Sequence, residues 1–187
     1  MIIGVDCGYR TGGVAIVGDD WAEVHDLPTY DEGGVDVVAL MDILTSVDRV
    51  DHIYIEKQQA MPKQGVSSTF KLGYGFGQIV TTCALSRSPY TLVTPNNWKR
   101  SLNLPRDKDA ARRLAQQWFP DLAGHLKRKK DEHRAEALLI ALYGKERTNA
   151  GTLRYTKRKL PPIAPPIVVR RKDDRAAIAG RLQARRA

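Results

Sequence analysis

The sequence predicts an α/β fold, in which a mixed five-stranded sheet is flanked by helices and followed by a basic C-terminal tail. Two observations predict the sheet and helices. Short apolar runs separated by turns open the chain, and strand patterns then alternate with helix patterns. A third observation sets the boundary, because the periodic pattern ends near Arg147 and Pro-rich, Arg-rich sequence follows. We therefore expect a folded domain over residues 1–147 and a flexible tail over residues 148–187.

The opening segment, MIIGVDCGYRTGGVAIVGDDWAEVHDLPT, predicts three strands. Its apolar runs have the length of buried strands, and the glycines between them are typical of a turn. Consecutive strands joined by short turns usually pair with each other. The segment is therefore predicted to form an antiparallel meander.

The next segments alternate between helix and strand. Apolar residues recur at helical spacing over residues 35–44, and the run DHIYIEK then predicts a short strand. The stretch QQAMPKQGVSST predicts a loop, and Ser67 or Ser68 is expected to cap a helix over residues 69–86. This helix carries small residues on one face that we expect to pack closely, either within the chain or across a dimer interface: Gly73, Gly75, Gly77 and Ala84.

The remaining elements follow the same alternation. SPYTLVTP predicts a strand, NNWKRSL a short helical segment, and residues 108–118 a basic amphipathic helix. A final helix is predicted over residues 131–145, with apolar side chains along one side. A meander followed by alternating strands and helices is typical of the RNase H-like fold, which is the candidate that we adopt.

Charge is distributed unevenly along the chain, whose net charge is +9. Residues 1–55 hold two basic and eleven acidic residues, residues 56–144 hold fifteen and seven, and residues 145–187 hold thirteen and three. Such asymmetry favours one face and one tail that bind a polyanion such as nucleic acid. The alternative, a basic surface that is only solvated, is equally compatible with charge alone.

Membrane insertion and secretion are not expected. No apolar run approaches the roughly 18 residues that a membrane span needs, and the N-terminus lacks the basic start and cleavage site of a signal peptide. We expect a cytoplasmic protein, or one in a DNA-containing compartment of the cell. Cys7 and Cys83 are interpreted as reduced core residues, because neither has the spacing of a zinc site.

Two acidic residues belong to apolar strand patterns, one in the middle and one at the end. Asp6 interrupts the run IIGVDCG, and Glu56 ends the run HIYIE. Burial of an ionised carboxylate costs roughly several kcal/mol unless a cation or hydrogen-bond donors compensate it. Two strand-borne acids at one sheet edge therefore indicate a divalent cation.

The last predicted helix supplies further candidate ligands. Glu132 and Glu136 are four residues apart and His133 and Glu136 three apart, so either pair lies on one helix face. Hard oxygen ligands of this kind suit Mg²⁺ or Mn²⁺, and two ions about 4 Å apart can activate water for phosphodiester hydrolysis. The alternative interpretation is structural, with Asp6 stabilising a turn, Glu56 paired with a lysine, and the helix acids solvated.

Four segments, in chain order, resemble the successive motifs of the RuvC family of Holliday junction resolvases, especially its phage-borne and plastid branches: IIGVDCGYRTGGVAIV, YIEKQQAMPKQGVSSTFKLGYGFGQI, VTPNNWKRSL and KKDEHRAEALLIALYG. The resemblance spans residues 1–145. It implies a homodimer that cuts four-way DNA junctions symmetrically, using four metal-binding groups. It assigns metal binding and catalysis to Asp6, Glu56 and Glu136.

The fourth metal-binding group is left open by the resemblance. Some relatives place it three residues before the last acid, which is His133 here, and others four before, which is Glu132. Asp131 is a weaker candidate, because five residues of helix turn it away from Glu136. We favour Glu132 on ligand hardness, followed by His133, and expect Glu132→Ala to cost more activity than His133→Ala.

Bacterial relatives carry an aromatic wedge shortly after the strand-borne Glu, where this sequence offers Gln58, Gln59 and Met61. Met61 is either the wedge or a loop residue folded over the core. Phosphate contacts are expected from basic residues and helix-start serines near the site. The predicted DNA-binding residues are Lys57, Met61, Lys63, Ser67, Ser68, Lys71, Lys99, Arg100, Lys127, Arg128, Lys129 and Lys130. For residues 127–130 the alternative is a solvated loop.

Three other functions fit part of the sequence: a phosphotransferase, a DNA-structure-binding protein and an RNA nuclease. DCGYRTGG also resembles the first motif of actin-like and sugar-kinase-like phosphotransferases, but these need two related domains and a nucleotide cleft. The glycines of LGYGFG lie within a helical pattern without a following Lys-Ser/Thr pair, so no nucleotide cofactor is expected. A DNA-structure-binding protein without catalysis, or an RNA nuclease of the same fold, remains compatible with these residues.

Overall fold

The structure is a computed structural model that describes residues 1–105, 107 and 109–149. It contains five strands: β1 (Ile2–Asp6), β2 (Gly13–Val17), β3 (Ala22–Asp26), β4 (His52–Glu56) and β5 (Tyr90–Val93). The α-helices are α1 (Val37–Leu44), α2 (Val66–Leu85), α3 (Pro95–Ser101), α4 (Ala110–Trp118) and α5 (Glu132–Asn149). Two 3₁₀ helices, Pro120–Leu126 and Lys129–Asp131, separate α4 from α5. The predicted tail starts at residue 148, but residues 148 and 149 belong to α5. The rest of the predicted tail, from residue 150 onward, and the predicted helix start at Lys108 lie outside the described residues.

The five strands form one mixed sheet in the order β3-β2-β1-β4-β5. β1 pairs antiparallel with β2, and β2 antiparallel with β3, which confirms the predicted meander. β4 is parallel to β1 and to β5. Every residue of β1, β2 and β4 is buried, because helices cover both faces of the sheet. The predicted mixed five-stranded sheet with flanking helices is confirmed.

Two hydrophobic clusters lie on opposite faces of the sheet, as the two-residue period of a strand requires. Ile3 and Val5 of β1 pack in the cluster that contains residues of α1 and α2. Ile2 of β1 packs in the other cluster, which contains residues of α3, α4 and α5. Cys7 and Cys83 are buried and free, which confirms that they are reduced core residues.

Helix α5 lies directly against the central strands. A Cβ atom added at Gly4 of β1 would lie 2.1 Å from the carbonyl oxygen of Ala137, and one at Gly13 of β2 would lie 2.2 Å from that of His133. Glycine is therefore required at both positions for the helix to approach so closely. This approach brings the first turns of α5 to the end of β1.

Helix α2 begins earlier than predicted and is not capped by serine. Gly65 is the N-cap, with extended backbone (φ −61°, ψ 145°) and no side-chain hydrogen bond. The prediction that Ser67 or Ser68 caps the helix is therefore wrong, because both lie within its first turn. Helix α1 is capped by a side chain, since Asp36 accepts hydrogen bonds from the backbone N–H groups of Val38 and Ala39.

The small-residue face of α2 is only partly packed within the described chain. Gly75 approaches the carbonyl oxygen of Gly8, where an added Cβ would lie at 3.2 Å. By contrast, nothing in the described chain lies within 4 Å of a Cβ added at Gly73 or Gly77, and Ala84 is exposed. These three residues face the surface of the molecule, so close packing of this face across a dimer interface stays a prediction. Among the described helices, none combines the length and apolar character needed to cross a membrane.

Candidate metal centre

Asp6 and Glu56 lie side by side at one edge of the sheet. Asp6 is the last residue of β1, and Glu56 is the last residue of the neighbouring parallel strand β4. The register pairs Val5 with Ile55, so the two acids occupy equivalent positions on adjacent strands. Both are buried, with 4% and 6% of their surface exposed.

Glu136 completes a cluster of three carboxylates. It lies in the second turn of α5, and one carboxylate oxygen from each of Asp6, Glu56 and Glu136 lies within 4.8 Å of the others. Burial, followed by the negative charge of Asp6, raises the pKa of Glu56 to about 7. The same two causes raise the pKa of Glu136. The sequence-predicted acids from three separate elements are therefore brought together.

This donor set fits a divalent cation. Three like charges held together in a largely buried site repel one another, and a cation between them offsets both the repulsion and the loss of hydration. Carboxylate oxygens are the hard ligands that Mg²⁺ and Mn²⁺ take. Asp6, Glu56 and Glu136 are thus the residues that could hold a metal ion here.

Both oxygens of Glu56 also accept hydrogen bonds from neutral side chains. The indole Nε1 of Trp98 on α3 donates to Oε1 at 3.0 Å, and the amide Nε2 of Gln58 donates to Oε2 at 3.1 Å. Trp98 is completely buried, with 0% of its surface exposed. Sequence reasoning did not identify Trp98 as a site residue, although it stands beside a predicted DNA-binding lysine in VTPNNWKRSL.

Lys99 lies inside the metal centre, rather than only on the surrounding surface. Its ammonium Nζ donates to Oε1 of Glu136 at 2.7 Å and lies 4.9 Å from the ring centroid of Trp98. Partial burial disfavours the charged ammonium, but Glu136, Glu56 and Asp6 together outweigh this effect and raise the pKa of Lys99. The lysine neutralises part of the negative charge of the cluster.

Of the candidates for a fourth ligand, His133 contacts the cluster. Its ring Nδ1 lies 2.7 Å from Oδ2 of Asp6, a hydrogen bond that raises the pKa of His133. The carboxylate of Asp131 instead accepts from the backbone N–H and the guanidinium of Arg128, at 2.8 Å each. Neither His133 nor Glu132 is itself part of the cluster found among the described residues, so the choice of Glu132 from ligand hardness stays a prediction.

The remaining predicted DNA-binding residues are exposed. Met61 is 62% exposed, so the interpretation that it folds over the core is wrong. Arg128 is exposed but is engaged by Asp131. The other exposed residues of this set are Lys57, Lys63, Ser67, Ser68, Lys71, Arg100, Lys127, Lys129 and Lys130.

The chain is similar in fold to two solved structures of RuvC from Thermus thermophilus. One, described as RuvC in complex with Holliday junction substrate, has a TM-score of 0.61 and 19% identity, over 81% of this chain and 96% of that chain. The other has a TM-score of 0.57 and 18% identity, over the same shares of 81% and 96%.

A yeast mitochondrial Holliday junction resolvase, Ydc2, is also similar, with a TM-score of 0.47 and 12% identity over 81% of this chain and 84% of that chain. By sequence, no protein-family model and no curated protein matches the chain.

The fold predicted from the sequence is confirmed by the structural similarity to the two Thermus thermophilus RuvC structures. The chain has a RuvC-like fold, with the mixed five-stranded sheet and flanking helices of the RNase H-like class.

Proposed function

We propose that the protein is a metal-dependent DNA endonuclease that resolves four-way junctions as a homodimer. The observation that carries this proposal is the cluster of three largely buried carboxylates, contributed by β1, β4 and α5, whose oxygens lie within 4.8 Å of one another. Three carboxylates that share one largely buried position repel one another, and a divalent cation between them would offset this repulsion.

In this proposal Asp6, Glu56 and Glu136 hold Mg²⁺ or Mn²⁺, with His133 or Glu132 as the fourth group and two ions per site. The bound ions supply an activated water and stabilise the leaving oxygen of the phosphodiester. Lys99 lies close enough to share Glu136 with a cation, and its ammonium is available to a phosphate at the site.

DNA binding is proposed for the exposed basic residues around the metal centre. Lys57 follows Glu56 directly, Arg100 follows Lys99, and Lys127, Lys129 and Lys130 precede α5. Lysine and arginine neutralise phosphates without reading sequence, which suits an enzyme that selects DNA by shape. The similarity to a RuvC protein solved with a Holliday junction supports a branched substrate.

The homodimer is supported by an exposed apolar stripe on α2. Val66 is 88% exposed, Phe70 73%, Tyr74 53% and Leu85 61%, at the spacing of one helix face. A groove of about 670 Å³ lies between α1 and α2, where Gly73 and Gly77 leave room for an approaching side chain. Such a surface is typical of a protein–protein contact, and a second copy of the chain is the partner that we propose.

The proposal is tested with labelled four-way junctions, replication forks and single-stranded RNA, each incubated with protein and Mg²⁺ or Mn²⁺. We expect paired, symmetric cuts in the junction and little cutting of the other substrates. Asp6→Asn, Glu56→Gln and Glu136→Gln should abolish cutting and keep junction binding, because the carboxylates hold metal whereas basic residues hold phosphate.

Glu146→Gln is the matched control, since it removes an exposed carboxylate from the same helix. It should cut like the unmodified protein. Cutting of RNA without cutting of the junction would indicate an RNA nuclease of this fold instead. Junction binding without any cutting, at all metal concentrations, would indicate a DNA-structure-binding protein.

A further inference from the structure

We infer that Trp98 is a positioning residue, which fixes the carboxylate of Glu56 for metal binding through its indole N–H. The inference rests on the proposed function, because it assigns the metal centre a residue that does not itself bind the ion. It concerns one hydrogen bond, from Nε1 of Trp98 to Oε1 of Glu56 at 3.0 Å.

The donor is held rigidly. Trp98 belongs to the hydrophobic cluster beneath α5 and has no exposed surface. It lies on the short helix α3, which follows β5 directly and begins with Pro95. β5 is paired with β4, and the backbone N–H of Lys57 donates to the carbonyl oxygen of Val93 at 2.7 Å. The start of α3 is therefore fixed beside the end of the strand that carries Glu56.

The chemistry of the donor suits this task. Glutamate has three side-chain torsions, so a buried glutamate at a strand end needs neighbours that select one orientation. An indole N–H only donates, and it takes one lone pair of Oε1. Gln58 holds Oε2 in the same way, at 3.1 Å. Each carboxylate oxygen has a second lone pair, which leaves it able to bind a cation.

The same indole ring also contacts the opposite side of the metal centre. The ammonium of Lys99 lies 4.9 Å from the ring centroid and donates to Glu136 at 2.7 Å. The Trp98–Lys99 pair on α3 therefore touches one carboxylate from β4 and one from α5. If Trp98 only filled the core, it would need neither the hydrogen bond from its N–H to Glu56 nor a position beside Lys99.

The first test compares Trp98→Phe, which keeps an aromatic ring but removes the N–H, with Trp118→Phe at a half-exposed position on α4. Mn²⁺ affinity of the DNA-free, full-length protein is measured by titration calorimetry, and the half-saturating Mg²⁺ concentration by junction cleavage. Removing a hydrogen bond to a metal ligand typically weakens metal affinity by about 10–100-fold. We expect this loss for Trp98→Phe, with cleavage partly restored by excess metal, and unchanged values for Trp118→Phe.

A second measurement does not depend on the folding of Trp98→Phe. The chain has three tryptophans, so the double variant Trp21→Phe/Trp118→Phe retains only the indole N–H of Trp98. We expect the NMR resonance of this N–H to shift as Mg²⁺ is added and to stay fixed in the background of Asp6→Asn, which lacks a metal ligand.

The outcomes separate the inference from the proposed function. If the unmodified protein binds Mn²⁺ but Trp98→Phe binds it with equal affinity, or if the Trp98 N–H does not respond to Mg²⁺, Trp98 is only a core residue. If the unmodified protein neither binds Mn²⁺ nor cuts junctions, the proposed function itself fails.

Discussion

His133 and Glu132 are neighbours at the start of α5, but only His133 contacts the carboxylate of Asp6, at 2.7 Å. This contact either places the imidazole as a metal ligand or orients Asp6 as one. In both cases we expect His133→Ala to lower cleavage by about tenfold or more. Glu132→Ala should have a smaller effect, which reverses the ranking expected from ligand hardness. Single-turnover cleavage at saturating Mg²⁺ measures both variants, and a larger loss for Glu132→Ala would restore it as the fourth ligand.

The carboxylate cluster makes the metal-free protein sensitive to pH. Burial and Asp6 raise the pKa of Glu56 from its ordinary value of 4.5 to about 7. Between these values the folded protein retains a proton that the unfolded chain has released, so stability falls as the pH rises through this window. One pKa unit corresponds to about 1.4 kcal/mol, so the loss is on the order of a few kcal/mol.

Removing this charge should therefore stabilise the metal-free protein. In EDTA at about pH 8, we expect Glu56→Gln to unfold at a higher temperature than the unmodified protein, and at about pH 5 the difference should shrink. Mg²⁺ should raise the unfolding temperature of the unmodified protein more than that of the variant. Thermal unfolding followed by circular dichroism measures these values. Equal unfolding temperatures at both pH values would mean that Glu56 is not destabilised by its neighbours.

Individual site residues differ in how well the sequence predicts them. Asp6 and Glu56 are predictable because each ends an apolar run, where a carboxylate has no ordinary structural reason to be. Glu136 borders the buried face of a helix and follows the same logic. The contact of Trp98 with Glu56 is not predictable in this way, because it depends on where α3 lies relative to β4. The fourth ligand depends on side-chain rotamers, which helical spacing does not determine.

At the scale of elements, the small-residue face of α2 shows what periodicity can and cannot predict. The pattern predicts a helix with one distinctive face, and the structure contains that helix at Val66–Leu85. It does not indicate whether the face packs inside the chain or against another molecule, since both produce the same period. Gly4 and Gly13 show a packing requirement that periodicity does not reveal. Helix α5 can approach the sheet only because both are glycine, but nothing in the strand pattern distinguishes them from turn glycines.

If α2 forms the dimer contact, polar substitutions in the stripe should separate the protomers. Phe70 and Tyr74 are 73% and 53% exposed, and burial of one large apolar side chain contributes about 1.5–3 kcal/mol. We expect Phe70→Ser/Tyr74→Ser to weaken dimerisation by more than about tenfold and to replace paired cuts with single nicks. Sedimentation equilibrium measures the association. Trp118→Ser, at a 46% exposed aromatic on α4, is the control, and unaltered association of the α2 variant would contradict the proposed interface.

At the scale of the whole molecule, charge is divided between two parts of the chain. Residues 1–149 hold nineteen basic and nineteen acidic residues, so they carry no net charge. Residues 150–187 hold eleven basic and two acidic residues and account for the full net charge of +9. The part that carries the metal centre is thus neutral overall, and the segment beyond α5 supplies the excess positive charge.

We therefore predict that residues 150–187 strengthen DNA binding by electrostatic attraction. The truncation should follow Asn149 rather than Arg147, because the hydroxyl groups of Thr148 and buried Tyr54 lie 3.0 Å apart in a hydrogen bond. The truncated chain should unfold at nearly the same temperature as the full chain, bind junctions more weakly, and show a flatter dependence of log affinity on log salt. The slope should fall by about 0.9 for each DNA phosphate that the protein no longer neutralises.

Fluorescence anisotropy with a labelled junction over a range of salt concentrations measures this slope. A full-length variant in which the arginines of the segment QARRA and of the run VVRRKDDR are replaced by glutamine is the matched control, because it keeps the length of the chain and removes charge. It should show part of the loss seen in the truncation if charge is responsible, because it removes five of the eleven basic residues of the segment. If the truncated chain retains both the affinity and the salt slope of the full chain, the segment does not bind DNA. A protein partner would then be the better explanation for its basic sequence, because that binding need not depend on phosphate neutralisation.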